Sequence, residues 1–159
     1  MTVRLLIQQS VEAKLKLPND EVLHVSHGVV VFVCMLQGVS EEKVSKAVST
    51  ILKVKLSEEL EKDEDDDGEE KKGNKRQSAK DIKRDILVIP QATLGGKLKG
   101  NSVQYHQNIK PEEGEKYFHQ FCDQLQLLHS ECNVKRGVYG ARQVLSMETN
   151  GPFSHVFDI

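Results

Sequence analysis

The sequence is poor in cysteine, and the few cysteines it has form no metal-binding pattern. Cys34, Cys122 and Cys132 are an odd set without CxxC spacing. A structural zinc site usually needs four Cys or His ligands at tight spacings, so we predict no metal and no cofactor. Cys34 lies in an apolar run and Cys122 on a helical pattern, which is typical of small core residues. Free thiols suit a reducing compartment and predict a cytoplasmic protein.

A long apolar run is also missing. The longest apolar stretch, Val29 to Leu36, is far shorter than a membrane span, so we expect no membrane association. The N-terminal residues do not show a basic region followed by a long apolar run, which argues against a signal peptide. The sequence contains neither a glycine-rich phosphate loop nor a nucleophile elbow, and this excludes the usual nucleotide-hydrolysing and serine-hydrolase patterns.

Charge is nearly balanced overall but unevenly placed. The net charge of −2 does not by itself indicate a nucleic-acid-binding protein. Residues 57–85 carry 12 acidic and 8 basic side chains, which leaves 12 acidic and 14 basic residues elsewhere and a net charge of +2 there. Within residues 57–84 the apolar periodicity disappears. That stretch cannot bury enough apolar area to offset its ordering entropy, so we predict a charged, mobile surface insertion.

The rest of the chain alternates between strand and helix patterns. Ser40 is expected to cap a helix whose apolar stripe includes Val44 and Ile51. Pro111 suits the first turn of a second helix. Short apolar runs predict strands at Val3–Gln9, Val11–Leu17, Val29–Met35, Ile86–Ile89, Val134–Tyr139, Gln143–Glu148 and Phe153–Phe157. This order predicts one α+β domain over residues 1–159, with a mixed or largely antiparallel sheet.

Two short polar segments each follow a predicted strand. Pro90-Gln91-Ala92-Thr93-Leu94 comes directly after Asp85–Ile89, and Thr149-Asn150-Gly151-Pro152-Phe153 comes after Gln143–Glu148. Such segments at the end of a strand can offer free backbone N–H groups to a ligand. Considered alone, they can equally be ordinary turns that end strands.

This pair of segments resembles the signatures of the D-aminoacyl-tRNA deacylase family, Ser-Gln-Phe-Thr and Asn-x-Gly-Pro, with substitutions like those of the family's animal-type branch. The resemblance covers nearly the whole chain outside the charged segment. It implies the family fold, a barrel-like mixed sheet with two main helices. It also implies a homodimer that hydrolyses the ester of aminoacyl-tRNA.

The resemblance assigns the catalytic turn to Gln91, Ala92 and Thr93, with Pro90 beside it as a substrate contact. In the family, backbone groups of this turn are thought to stabilise the reaction centre while the 2′-hydroxyl of the RNA assists. The threonine has also been considered as a nucleophile, and the sequence leaves that alternative open. Pro90 and Ala92 stand where the family has Ser and Phe. Loss of the phenyl ring is expected to enlarge or reshape the pocket.

The second signature implies substrate contacts from Asn150, Gly151 and Pro152. In the chirally strict enzymes the Gly-Pro bond is cis and its carbonyls exclude L-side chains. Gln9 stands where those enzymes have Arg, and an amide orients a carbonyl more weakly than a guanidinium does. For this reason, and because most X-Pro bonds are trans, we predict a trans Gly151-Pro152 bond and relaxed chiral exclusion. Tyr139 is expected either to stack on the terminal adenosine or to be an ordinary core residue.

The expected substrate is a mischarged tRNA. The animal-type resemblance points to L-alanyl-tRNA(Thr), with glycyl- or D-aminoacyl-tRNA as further substrates. Two alternatives stay open: a strict D-aminoacyl-tRNA deacylase, and a tRNA-binding module without catalysis. The charged segment is either a solvated insertion or a region that tunes the approach of tRNA. The side chains placed best for phosphate contacts are Lys97, Lys99, Lys135 and Arg136.

Overall fold

The structure is a computed structural model that describes residues 1–58 and 76–159. Its strands are β1 (Val3–Lys16), β2 (Val22–Met35), β3 (Lys55–Glu58), β4 (Arg76–Ser78), β5 (Ile86–Pro90), β6 (Lys97–Lys99), β7 (Ser102–Gln104), β8 (Val134–Arg136), β9 (Val144–Glu148) and β10 (Ser154–Asp158). The two α-helices are α1 (Glu41–Lys53) and α2 (Pro111–Leu128). A 3-10 turn at Ala92–Gly95 follows β5.

Both helices begin at the residues that the sequence predicts. The side chain of Ser40 accepts a hydrogen bond from the Lys43 N–H, and Glu41 and Glu42 occupy the first turn of α1, where acidic groups favour the helix dipole. Pro111 is the first residue of α2, a position where its missing N–H costs nothing. The apolar stripe of α1 is buried, as the three-and-four spacing predicts.

The strands confirm the α+β class and the mixed sheet, but the main sheet is not closed as a barrel. Its order is β10-β1-β2-β5-β8, with β9 also paired to β1. β2, β5 and β8 run parallel, whereas β1 is antiparallel to β2, β9 and β10. Among the described residues β8 and β10 do not pair, so the expected barrel-like closure is wrong. β9 and β10 both pair with the edge of β1 opposite β2, and within residues 1–58 and 76–159 β8 pairs with β5 alone.

The first two strand predictions also need correction. Val3–Gln9 and Val11–Leu17 are not two partner strands but the two halves of β1, a single strand of 14 residues. Its first half pairs with β10 and its second half with β9, while both halves pair with β2. A break in apolar alternation near Gln9 and Ser10 therefore marks a change of neighbour and not a turn.

The core has two parts on opposite faces of the sheet. The larger part lies under the helices, where Phe118, Phe121 and Leu125 of α2 pack against Val31 and Val88. The smaller part joins Val30, Leu87 and Ile89 to the far ends of β1 and β2 through Ala13, Leu15 and Val25. β5 is therefore buried on both faces, and it holds the residues that follow it in a fixed position.

Both ends of the predicted insertion at 57–84 form regular structure. Lys55–Glu58 and Arg76–Ser78 pair as a two-stranded sheet, and Ser57, Ser78 and Ala79 are buried. Ser78 caps a turn through its bond to the Asp81 N–H. These small side chains pack where the charge-based pattern predicted a surface loop. Residues 59–75, with Lys71, Lys72 and Lys75, lie outside the described residues.

Among the described residues no helix is both long and apolar enough to cross a membrane.

Candidate active site

The end of β5 opens into a cavity of about 560 Å³. Pro90 pairs with Val33 of β2, and the Gln91 N–H continues the ladder by donating to the Val33 carbonyl at 2.9 Å. Pro90, Gln91 and Ala92 line the cavity; the other lining side chains include Cys34, Tyr105, Asn108, Phe118 and Tyr139. The parallel pairing of β2 and β5 thus places the first predicted motif beside a space suited to a small ligand group.

The 3-10 turn presents two backbone donors. The Gln91 carbonyl accepts from the Leu94 N–H at 3.2 Å, and the Thr93 carbonyl accepts from the Gly96 N–H at 3.1 Å. The N–H groups of Ala92 and Thr93 have no acceptor within the described part of the chain. Both residues are exposed. Two adjacent free N–H groups form the kind of arrangement that stabilises an oxyanion.

The side chains of the turn bind each other. Gln91 Nε2 donates to the Thr93 hydroxyl oxygen at 2.6 Å. An amide cannot remove a proton from a hydroxyl group, and no carboxylate or imidazole of the described residues is hydrogen-bonded to Thr93. Thr93 is not among the residues that line the cavity. This geometry gives Thr93 no activating base, so it argues against Thr93 as a nucleophile.

Cys34 is a cavity residue that the sequence assigned only to the core. It is buried, and its thiol lies 3.7 Å from the Ala92 carbonyl oxygen. Burial raises the pKa of Cys34, while a hydrogen bond from the Gly95 backbone and the charge of Arg4 oppose that shift. The protonated thiol is therefore the stable form at neutral pH and serves as part of the apolar wall.

Tyr139 lines the cavity together with Tyr105, which the sequence analysis missed. Its ring packs against Phe118 with 5.7 Å between the ring centroids. Gly114 of α2 makes room for it, because a Cβ built there would overlap the Tyr139 hydroxyl. Burial raises the pKa of Tyr139, so its phenol stays neutral at physiological pH. Tyr105 is an exposed residue that follows a hairpin, and no sequence pattern marks it as a pocket residue.

The second motif lies elsewhere in the same chain. Gln9 and Asn150 line a separate small cavity of about 40 Å³ with Ser10, Val11, Gly28, Arg84 and Phe153. The β10 strand that follows the motif is three strands away from β5 in the sheet order, roughly 14 Å at the usual strand spacing. The structure therefore does not bring Asn150, Gly151 and Pro152 together with Gln91 within one chain.

The Gly151-Pro152 peptide bond is cis, so the prediction of a trans bond is wrong. The frequency of trans X-Pro bonds is a weak guide because the trans form is favoured by only about 0.5–1 kcal/mol. The substitution at Gln9 was no better a guide, since its amide oxygen accepts from the buried Ser57 hydroxyl at 3.0 Å. The relaxed chiral exclusion inferred from a trans bond loses that support.

The four predicted phosphate contacts differ in how free they are. Lys97 and Lys99 are exposed on the β6 strand. Lys135 donates to the His24 carbonyl at 2.7 Å, and Arg136 binds Asp123 at 2.6 Å and contacts His119 Nδ1 at 3.3 Å. Within the described residues, Lys97 and Lys99 therefore form fewer hydrogen bonds and ion pairs than Lys135 and Arg136 do. No group of three or more His, Cys, Asp or Glu residues in the described ranges is arranged to hold a metal.

A family model and individual relatives all match this chain to the same family. A sequence model described as D-Tyr-tRNA(Tyr) deacylase matches residues 6–158. D-aminoacyl-tRNA deacylase 2 of Homo sapiens is 39% identical over 169 residues, covering 98% of this chain and 94% of that protein. The protein of the same name from Danio rerio is 36% identical, with 99% of each chain covered. These relatives agree with the animal-type branch that the motifs indicate.

Solved structures show the same fold. One described as a probable eukaryotic D-amino acid tRNA deacylase superposes with a TM-score of 0.86 and 29% identity over 100% of both chains. Another, the c-Myc DNA Unwinding Element Binding Protein, has a TM-score of 0.83 at 21% identity over 98% of both chains, a likeness of fold alone.

Proposed function

The chain belongs to the D-Tyr-tRNA(Tyr) deacylase family and is a hydrolase of the aminoacyl-tRNA deacylase class, and on that premise we propose that it removes D-aminoacyl groups from tRNA with the turn at Gln91, Ala92 and Thr93 as its catalytic centre. The observation that carries this proposal is the pair of N–H groups on Ala92 and Thr93 that have no acceptor in the described residues. Ala92 lines the cavity after β5 and Thr93 is the next residue, and in this proposal both N–H groups donate to a developing oxyanion.

The proposed reaction needs little side-chain chemistry. The aminoacyl ester is already activated, and the vicinal 2′-hydroxyl of the terminal ribose lies beside its carbonyl. Water attacks that carbonyl with assistance from the 2′-hydroxyl, and the Ala92 and Thr93 N–H groups stabilise the charge that develops on the carbonyl oxygen. The bond from the carbonyl carbon to the ribose oxygen then breaks, and that oxygen leaves as a hydroxyl group with a proton that originates from the attacking water. Gln91 holds the Thr93 side chain, and Pro90 and Tyr139 bound the space for the substrate.

A second candidate substrate is L-alanyl-tRNA(Thr), with glycyl-tRNA as a smaller relative. The observation that favours it is the methyl side chain of Ala92 in the cavity wall, where the family signature has a phenyl ring. A wider cavity tolerates one additional methyl group on the substrate more readily than a narrow one. The names of the relatives favour the D-aminoacyl substrate instead.

A deacylation panel separates these possibilities. Purified protein is incubated with D-tyrosyl-tRNA, glycyl-tRNA, L-alanyl-tRNA(Thr) and L-tyrosyl-tRNA, and the ester remaining is measured over time. Cleavage of the D-ester alone supports the strict deacylase. Additional rapid cleavage of the alanyl ester supports the second substrate, and binding of all four without turnover supports a non-catalytic tRNA-binding module.

We further propose that the active form is a cytoplasmic homodimer. One chain holds the two motifs on different parts of the sheet, so a site that uses both needs a second copy of the chain. Complementation tests this: a protein altered at Gly151 is mixed with the Thr93→Pro variant, which lacks the Thr93 N–H. Recovered activity in the mixture supports a shared site, whereas two inactive proteins that stay inactive after exchange contradict it. The exposed Lys97 and Lys99, with Lys135 and Arg136, are proposed as contacts to the tRNA phosphates.

A further inference from the structure

Two carbonyl groups of the turn are held by side chains from distant parts of the fold. The Ala92 carbonyl accepts from Asn108 Nδ2 at 2.8 Å. The Leu94 carbonyl accepts from Arg4 Nη1 at 3.0 Å. Neither Arg4 nor Asn108 belongs to a motif that the sequence singles out, and each comes from a different segment of the chain.

Arg4 is itself fixed by the sheet. It lies opposite Asp158 in the register of β1 and β10. Its Nε binds Asp158 Oδ1 at 2.8 Å, and its Nη2 lies 3.3 Å from Asp158 Oδ2. A planar guanidinium bound at two points has a defined orientation, so its third nitrogen reaches Leu94 from a rigid base.

Asn108 is fixed in a different way. Its backbone forms a bridge with Leu36 just after β2. Its amide oxygen is buried against Gly95 and has no hydrogen-bond partner within the described residues, and a Cβ at Gly95 would overlap that oxygen. The absence of a side chain at Gly95 therefore allows the amide to reach the turn.

The planar peptide unit connects these contacts to the two free donors. In a trans peptide the carbonyl of one residue and the N–H of the next point in opposite directions in one plane. Holding the Ala92 carbonyl with Asn108 therefore aims the Thr93 N–H to the opposite side. Arg4 acts less directly, because the Leu94 carbonyl that it binds lies in the peptide plane after Leu94. The Leu94 N–H, in the plane before Leu94, donates to the Gln91 carbonyl, and that carbonyl shares its peptide plane with the Ala92 N–H.

We propose that Asn108 and Arg4 are positioning residues of the deacylation reaction. Asn108 fixes the peptide plane that aims the Thr93 N–H at the substrate carbonyl, and Arg4 fixes Leu94, whose N–H holds the peptide plane of the Ala92 N–H. This inference rests on the proposed function for its kinetic consequence. The aim of the two N–H groups is a property of the protein without substrate and is measurable on its own.

The kinetic test compares N108A, R4Q and D158N with the wild-type protein in single-turnover and steady-state deacylation of D-tyrosyl-tRNA. Removing one oxyanion donor outright lowers kcat about 10²–10³-fold in other enzymes, so loosening a donor is expected to lower kcat by roughly 10-fold to 100-fold. KM should change by less than about 3-fold. D158N keeps the guanidinium and should lower kcat less than R4Q does, and R4K should recover part of the loss.

Glu131→Gln is the matched control. It removes an ion pair of similar length, Lys83 to Glu131 at 2.9 Å, far along the chain from the turn, and should leave kcat unchanged. If N108A and R4Q lower the melting temperature without lowering kcat, or raise only KM, the positioning role is wrong.

A second measurement separates this inference from the proposed function. In the 15N NMR spectrum of the protein without tRNA, N108A should lower the order parameter of the Thr93 amide more than that of Ala92, and R4Q should do the reverse. Unchanged order parameters in both variants overturn the positioning role even if the protein is an active deacylase. If the order parameters change but the protein cleaves no ester, Asn108 and Arg4 do position the two N–H groups, and the proposed function is wrong.

Discussion

Gly114→Ala tests the position of Tyr139 because it adds one methyl group where the phenol lies. A Cβ at this position overlaps the Tyr139 hydroxyl and lies 3.0 Å from Ile109 Cγ2. In an unobstructed helix the change stabilises by up to about 1 kcal/mol. Overpacking in a filled site costs about 1–3 kcal/mol, so we expect a net destabilisation of roughly 0–2 kcal/mol.

The larger effect should be on activity. The methyl group displaces the Tyr139 ring. If that ring stacks on the terminal adenine, loss of one aromatic contact to a base costs about 1–3 kcal/mol. The expected fall in kcat/KM for D-tyrosyl-tRNA is therefore about 5-fold to 150-fold. Thermal unfolding followed by circular dichroism and a deacylation time course measure the two effects on the same preparation.

A double-mutant cycle with Tyr139→Phe provides the control. Removing the hydroxyl removes the overlapping atom, so the effect of Gly114→Ala should be much smaller in the Tyr139→Phe variant than in the wild type. If Gly114→Ala raises the melting temperature and leaves kcat/KM unchanged, the ring does not lie against α2 and the description of the cavity wall is wrong.

Three further predictions concern binding, selectivity and pH. Replacing both Lys97 and Lys99 with Ala should lower the slope of log Kd against log salt concentration by roughly 1.4–1.8 for tRNA binding. Filter binding measures the slope, with K53A as the control. An unchanged slope excludes the two lysines as phosphate contacts. Ala92→Phe should lower the ratio of L-alanyl to D-tyrosyl ester cleavage about 10-fold, because a ring narrows the cavity, and an equal ratio would contradict the size argument. Burial raises the pKa of Cys122 from 9.0 to about 12, so the folded protein keeps a proton that the unfolded chain loses. The free energy of unfolding should then fall between about pH 9 and pH 12, by at most about 1.4 kcal/mol per pH unit, and urea titrations of C122A should show a smaller slope.

The sequence predicts the local features of this fold well because they depend on neighbouring residues. Ser40 and Pro111 set the starts of the helices, and the apolar run before Pro90 identifies β5. The same applies to the turn at Gln91–Thr93, where motif and strand are adjacent in the chain.

Features set by distant contacts were not predictable in this way. Arg4 reaches Leu94 across 90 positions, and Asn108 reaches Ala92 across 16, with no periodicity to indicate either contact. The cis bond at Gly151-Pro152 differs from the usual form by a small free energy that tertiary packing easily exceeds. β9 and β10 both pair with β1 from the opposite end of the sequence, and no single run of residues encodes that pairing.

The length of β1 has a consequence for any assembly of two chains. Arg4, behind the turn, and Gln9, beside the second motif, are five residues apart on one extended strand, or about 17 Å at the usual rise per residue. This rigid segment fixes the offset between the two motifs in each copy. In a twofold-symmetric pair, if the second motif of one copy contacts the turn of the other, symmetry requires the same contact between the remaining motif and turn. Both catalytic centres would then be completed in a single association step.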